Sequence, residues 1–156
     1  MAKNPLKNIM YASLIALSLA SCAPAFAGNY GASNSQAVNL GHEIATIVVG
    51  HTQNGTTDIY ALRNGVESVA SAIDNLMDDN DIQPPTAMQL KDELNIQMRP
   101  YMSAALNAYD NGAELNSAFF MLQNFCTQLA GVVISSVGYQ KAHTDMLSAV
   151  GLYTQP

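Results

Sequence analysis

Three histidines are the first residues whose spacing suggests metal chemistry. His42-Glu43 begins like the H-E-x-x-H pattern of zinc proteases, in which two histidines one helical turn apart bind the metal. Here Thr46 stands where the second histidine is required. His51 would lie about 180° away from His42 around a helix, and His143 could approach either of them only through tertiary packing. We therefore place the three histidines near helix ends or solvent and predict no metal site.

A run of carboxylates before the first prolines of the domain is the second candidate. Its oxygen ligands would suit calcium, and its members are Asp74, Asp78, Asp79 and Asp81, with Asn75 and Asn80 among them. An EF-hand loop is excluded because Gln83 stands where that loop requires glycine. Carboxylates at the end of a helix also oppose its macrodipole. We predict a solvated, frayed helix end, with the basic patch of a partner as the next interpretation.

Methionine is frequent enough to raise the question of haem, which helical bundles bind through His and Met. The candidates are Met77, Met88, Met98, Met102, Met121 and Met146. However, methionine is a common core filler, and the sequence has neither a C-x-x-C-H attachment signature nor an E-x-x-H pair for a di-iron site. P-loop, G-x-S-x-G and G-x-G-x-x-G motifs are also lacking. We predict no cofactor and no enzymatic activity, and keep a haem- or metal-binding bundle as an alternative.

Two export signals overlap at the start of the chain. Lys3 and Lys7 precede the apolar run Ile9–Ala20, a pattern typical of a secretory signal peptide and too short for a permanent membrane anchor. The four residues that end at Cys22 resemble the lipobox of bacterial lipoproteins, and a small-x-small cleavage site ends at Ala27. The signal peptide is therefore predicted to be 1–27, or 1–21 if the lipobox is used.

The choice of cleavage site decides whether the protein is attached to a membrane. Cleavage before Cys22 would make that cysteine the lipid-attachment residue, and the small residues after it would form a tether. Cleavage after Ala27 would release an unattached protein, with 28–34 as a flexible linker. Either product keeps Cys126 as its single sulfhydryl, so an intramolecular disulfide is excluded. The predicted location is the periplasm or the outer membrane of a bacterial envelope.

The charge of the mature domain restricts its partners. Removal of the signal leaves four basic residues against twelve acidic ones, a formal net charge of −8. A domain this acidic repels phosphate backbones and anionic lipid headgroups. We predict no nucleic-acid binding, and membrane contact only through the N-terminal lipid anchor.

Apolar residues at helical spacing predict the elements that position all of these residues. Predicted helices span 35–52, 57–78 and 86–109, followed by an uncharged segment from Leu115 to Gln140. The clearest stripe consists of Ile59, Leu62, Val66, Val69, Ile73 and Leu76. Thr56 or Thr57, and then Thr86, are the predicted N-caps, and Pro84-Pro85 is predicted to close the second helix. Pro100 predicts a kink or a break.

The last segment is the predicted central helix. Gly131, Ser135 and Gly138 give it a small face where another helix can approach closely, and one of the glycines is an alternative site for a break. Cys126 lies on its apolar stripe and is predicted to be a buried thiol, with a disulfide across a homodimer as the alternative. The segment is long enough to span a membrane, but its amides and hydroxyls argue against that.

Together these patterns predict an all-α protein: a signal peptide followed by an antiparallel four-helix bundle over 35–154, or a five-helix bundle if the last segment divides. The predicted function is that of a non-enzymatic structural or interaction component of an envelope or secretion-type assembly, with a protein partner or homo-oligomer. Two alternatives remain open. One is a periplasmic binding or inhibitory module of the chaperone or immunity type, and the other is the haem- or metal-binding bundle.

Overall fold

The computed structural model describes residues 34–50 and 58–154. Over these residues the chain forms five helices and no strand: α1 Asn34–Val49, α2 Ile59–Asp78, α3 Pro84–Asn107, α4 Gly112–Val137 and α5 Tyr139–Thr154. The prediction of an all-α fold is confirmed. The predicted signal peptide, Cys22, His51 and all of the predicted linker except Asn34 lie outside the described residues.

Helix α4 is central, because it packs against each of the other four helices and most extensively against α1. Its fully buried side chains include Phe125, Leu122 and Leu129. The stripe predicted for α2 also faces the core: Leu62, Val69, Ile73 and Leu76 are buried, and Ile59 and Val66 pack against them partly buried. Burial of these apolar faces is the main stabilising term, about 25 cal/mol for each Å² removed from water.

The helix starts differ from the predicted ones. Helix α2 is capped by Asp58, whose carboxylate Oδ1 accepts a hydrogen bond of 2.7 Å from the Ala61 backbone N–H; the predicted caps Thr56 and Thr57 lie outside the described residues. Helix α3 begins at Pro84, with Gln83 as N-cap, instead of at Thr86. The paired prolines therefore open α3 instead of closing α2, since proline in the first turn has no N–H that needs an acceptor.

Two further predictions about helix interruptions have clear outcomes. Helix α3 continues through Pro100 up to Asn107, so a break there is excluded, while the alternative of a kink stays a prediction. The segment from Leu115 does divide, and it does so at Gly138, while Gly131 stays buried inside α4. Gly138 has φ 83° and ψ 164°, a conformation that essentially only glycine adopts. Its N–H caps α4 on the Ile134 carbonyl, and its own carbonyl accepts from Ala142 in α5.

The turn between α2 and α3 is an ordered cap and not a frayed end. The Asn80 N–H donates to the Met77 carbonyl at 2.9 Å, and the Asp81 N–H donates to the Leu76 carbonyl at 3.0 Å. These two bonds form a Schellman motif, with Asn80 in the left-handed position at φ 63°. Ile82 follows and is buried. The turn thereby fixes the position of Asp81.

Asn80→Gly should stabilise the protein by about 0.5 kcal/mol, because glycine adopts the left-handed conformation without the steric cost that a Cβ imposes. Asn95→Gly, on the exposed side of α3, is the matched control. It should destabilise by about 0.3 kcal/mol because glycine is the poorer helix former. Urea unfolding followed by circular dichroism measures both changes. Equal signs for the two variants would contradict the cap assignment.

Candidate functional site

Two of the three histidines, His42 and His143, lie within the described residues. His143 Nε2 lies 3.1 Å from Glu43 Oε2, which joins α5 to α1, and the Tyr139 ring lies 5.9 Å from the imidazole of His143. His42, the residue that begins the protease-like pattern, is exposed on α1. Within 34–50 and 58–154 no group of three or more His, Cys, Asp or Glu side chains could hold a metal ion. The His143–Glu43 pair is a surface link between helices.

The carboxylates of the run have different partners and different exposures. Asp74 on α2 accepts two hydrogen bonds of 3.0 Å from Lys91 Nζ on α3, while Asp78 and Asp79 are exposed. Asp81 is buried, with 7% of its surface exposed, so the prediction of a solvated end is wrong for this residue. Asp74 and Asp81 pair with lysines on two different helices, and among the described residues these carboxylates form no group that could hold a metal ion.

Asp81 belongs instead to a cluster with two residues of α5. Lys141 Nζ donates to Asp81 Oδ1 at 3.1 Å and also hydrogen-bonds Asp145 one turn further along α5. Burial raises the pKa of the Asp81 carboxyl, and the neighbouring Asp145 raises it further. The hydrogen bond from Lys141 lowers the pKa of Asp145. One ammonium group is thus shared by two carboxylates at the point where the α2–α3 turn meets α5.

Lys141→Met should lower the free energy of unfolding at pH 7. This loss should become smaller as the pH falls towards 4. Without the ammonium group the pKa of the buried Asp81 carboxyl rises further above its ordinary value, so the folded state binds more protons than the unfolded chain and gains stability on acidification. Urea midpoints at pH 7, 5.5 and 4 test this. The matched control is Arg63→Met, which removes an exposed pair with Glu67 and should cost at most about 0.5 kcal/mol at every pH. A flat pH profile for Lys141→Met would contradict the cluster.

Cys126 is unsuited to chemistry. Its side chain is fully buried in α4, and burial raises the pKa of the thiol to about 12. The thiolate is therefore scarce at neutral pH, and a partner's thiol has no access to the sulfur in the folded protein. This burial supports the predicted inert thiol and argues against the alternative of an intermolecular disulfide.

The small face predicted on the last helix is divided between core and solvent. Gly131 is buried, whereas Ser135 and Gly138 are exposed, and the Ser135 hydroxyl donates to the Gly131 carbonyl at 2.8 Å. No atom lies within 4 Å of the position that a Cβ on Gly138 would take. The use of Gly131, Ser135 and Gly138 as a helix-packing or oligomer face stays a prediction.

The most conspicuous apolar surface was not predicted and lies on α3. Met88, Ile96 and Leu106 expose 67%, 62% and 66% of their surfaces. At 100° per residue their positions fall within about 80° of one another, on the side of α3 opposite its buried residues. Pro85, Asp92, Arg99 and Ser103 are exposed on the same face. We call these seven residues the α3 outer stripe.

The pairing of cations distinguishes the stripe from the rest of the described surface. Arg63, Lys91 and Lys141 each form an ion pair within the chain. Arg99 forms none with the residues described, although this domain has an excess of acidic groups, and the same holds for Asp92. The stripe therefore carries one unpaired cation and one unpaired anion between large exposed apolar side chains.

A separate concave surface lies at one end of the bundle. A cleft of about 470 Å³ is formed by the start of α2 and the α3–α4 connection, and its walls include Asp58, Tyr60, Asp110 and Leu115. Asp58 also serves as the α2 cap, and Asp110 Oδ1 accepts a weak hydrogen bond of 3.4 Å from the Gly112 N–H. The cleft combines two carboxylates with apolar walls, which suits a basic side chain.

No family model matches this chain, and neither a curated protein nor a solved structure matches it. One helix of the described residues, Gly112–Val137, is long and apolar enough to cross a membrane, with a mean hydropathy of 1.4. Half of the 18-residue apolar stretch within this helix is buried inside the protein. Core helices of soluble proteins can be equally long and apolar.

Proposed function

We propose that this protein is an exported, non-enzymatic component of a bacterial cell envelope that works through protein–protein contacts in an oligomer or secretion-type assembly. The observation that carries the proposal is the α3 outer stripe. Monomeric soluble proteins seldom expose several large apolar side chains along one helix face, because each loses the stabilisation that burial would give. Such a face is typical of a surface that another helix covers.

The proposal also covers the export signal and the arrangement of the helices. Residues 1–27 direct export, or 1–21 if Cys22 is acylated, and the linker tethers the domain. The helices are arranged as an antiparallel bundle around α4, which the short connections between successive helices support. The acidic charge of the domain disfavours nucleic acid and anionic lipid as partners.

The address is tested by mass spectrometry of the protein recovered from bacterial envelope fractions. The expected product begins at Gly28 without modification or at an acylated Cys22. Cys22→Ser distinguishes the two, since it would abolish acylation but leave cleavage after Ala27 intact. A chain that retains residues 1–27 and stays in the cytoplasmic fraction would overturn the export proposal.

The contact function is tested by replacing the three large apolar residues of the stripe together, as Met88→Gln, Ile96→Gln and Leu106→Gln. The variant should be exported and should keep its helical circular dichroism, because these side chains lie outside the core. On native gels of solubilised envelopes it should migrate as an isolated subunit, whereas the unmodified protein migrates in a larger complex. Identical migration of the two proteins would refute the stripe as a contact surface.

The cleft supports a second candidate, the binding or inhibitory module, whose ligand would be a basic segment of a partner protein. Its test is the affinity for a lysine-rich peptide, measured by calorimetry, with Asp110→Asn as the variant. Binding that weakens with this change would favour the second candidate. Binding that is absent, or unaffected by the change, would exclude the cleft as a basic-segment site.

A further inference from the structure

We infer that the partner of the α3 outer stripe is the same stripe of a second copy of this chain, packed antiparallel about a twofold axis near Ile96. This inference rests on the proposed function, because it names the partner of the contact surface. It is argued from the charges and side-chain sizes along the stripe.

The stripe carries two opposite charges on one helix face. Asp92 and Arg99 are seven residues apart, which is about two turns or 10 Å along α3, so both project from nearly the same face. The midpoint between them lies beside Ile96. When two copies of α3 pack antiparallel about that midpoint, Asp92 of each copy faces Arg99 of the other. Two ion pairs then form where each copy alone leaves both groups unpaired.

The parallel alternative is disfavoured by the same residues. In a parallel pair about a twofold axis, Asp92 faces Asp92 and Arg99 faces Arg99, and like charges in contact are destabilising. A partner in general would only need to supply one acid and one base. The stripe supplies both on one helix face, with the exposed apolar side chain of Ile96 beside the midpoint between them.

The sizes of the remaining side chains agree with this register. Each position along one helix faces the position equally far beyond the axis on the other, so Met88 faces Ser103 and Leu106 faces Pro85. A large side chain meets a small or flat one at both places. Ile96 meets its symmetry mate at the centre, where exclusion of water is greatest and substitutions usually have their largest effects.

A single pair of helices is a small interface, so we expect a reversible dimer whose formation depends on concentration. Sedimentation velocity of the processed protein, measured over a wide concentration range, should show a monomer–dimer equilibrium. Ile96→Glu should raise the dissociation constant by about 30-fold or more, because it places two carboxylates at the centre of the contact. Asn124→Glu, an exposed change on α4, is the control and should leave the dissociation constant unchanged.

Charge exchange gives the sharper test. Asp92→Arg alone and Arg99→Asp alone should each raise the dissociation constant about tenfold, since each replaces attraction by repulsion at both pairs. The double variant D92R/R99D should dimerise like the unmodified protein, because it recreates both pairs in reverse. A mixture of the two single variants should form a heterodimer, as one carries two cations on the stripe and the other two anions.

The outcomes separate this inference from the function on which it rests. A protein that stays monomeric at all concentrations, or a double variant that fails to recover dimerisation, overturns self-pairing. If the native-gel complex is still lost in the triple glutamine variant, the proposed contact function survives and the partner is a different protein. If that complex is unaffected, both fail.

Discussion

Phe125→Ala is expected to lower the free energy of unfolding by about 3–5 kcal/mol, because the ring is lost from a site that cannot collapse around the cavity. The Phe125 side chain is fully buried on α4, and that helix contacts all four of the others. Neighbouring helices therefore hold the walls of the cavity apart. A loss of this size is a large part of the 5–15 kcal/mol that stabilises a typical domain.

Phe120→Ala is the matched control, since it removes the same ring from the same helix. Phe120 exposes 64% of its surface, so its removal should change the free energy of unfolding by no more than about 0.5 kcal/mol. Urea unfolding of both variants, followed by far-ultraviolet circular dichroism, measures the difference. Similar losses for the two phenylalanines would show that α4 is not oriented as described.

Periodicity predicted the buried faces well because it reports directly on burial. Leu62 and Val69 are seven residues apart, and Ile73 and Leu76 follow at steps of four and three, a spacing that only one side of a helix can satisfy. All four are buried. Helix termini depend on a few local hydrogen bonds instead. Asp58 and the threonines before it are all residue types that favour the N-cap position. The pattern of apolar residues does not indicate which of them caps α2.

The polar cluster at the α2–α3 turn could be predicted only in part. Lys141 and Asp145 are four residues apart, so their pairing on α5 can be read from the sequence. The approach of Asp81 depends on how the turn folds and where α5 packs, and both are tertiary properties. The carboxylate run therefore has the sequence pattern of a solvated helix end. In the folded protein the Schellman cap positions Asp81 against Lys141.

The spacing of the α3 outer stripe can be read from the sequence. Leu90, Leu94 and Met98 define the buried face of α3 and account for only part of its apolar residues. Placing Met88, Ile96 and Leu106 on a helical wheel is sufficient to show that they share a second face. What the wheel cannot provide is their exposure, which depends on α3 packing mainly against α2 and α4.

Gly41→Ala is the second large expected effect, a loss of about 3 kcal/mol or more from the free energy of unfolding. A Cβ on Gly41 would lie 2.4 Å from the Thr127 backbone nitrogen and 2.5 Å from its Cα. Atoms that are not bonded cannot approach this closely, so α1 would have to move away from α4 along the most extensive helix contact in the domain. Gly41 is not among the small residues that the sequence analysis predicted to allow close helix approach.

Two further variants show whether the backbone is the obstacle. Thr127→Ala in the Gly41→Ala background removes the hydroxyl at 2.6 Å but keeps the backbone nitrogen and Cα, so it should restore little of the lost stability. Gly151→Ala in α5 has open space around the new Cβ and should stabilise the protein by up to about 1 kcal/mol, because alanine is the better helix former. Full recovery in the double variant would mean that side-chain crowding alone limits this contact and that α1 and α4 can still separate locally. Partial or no recovery would show that the Thr127 backbone is the obstacle. In that case only glycine fits at position 41.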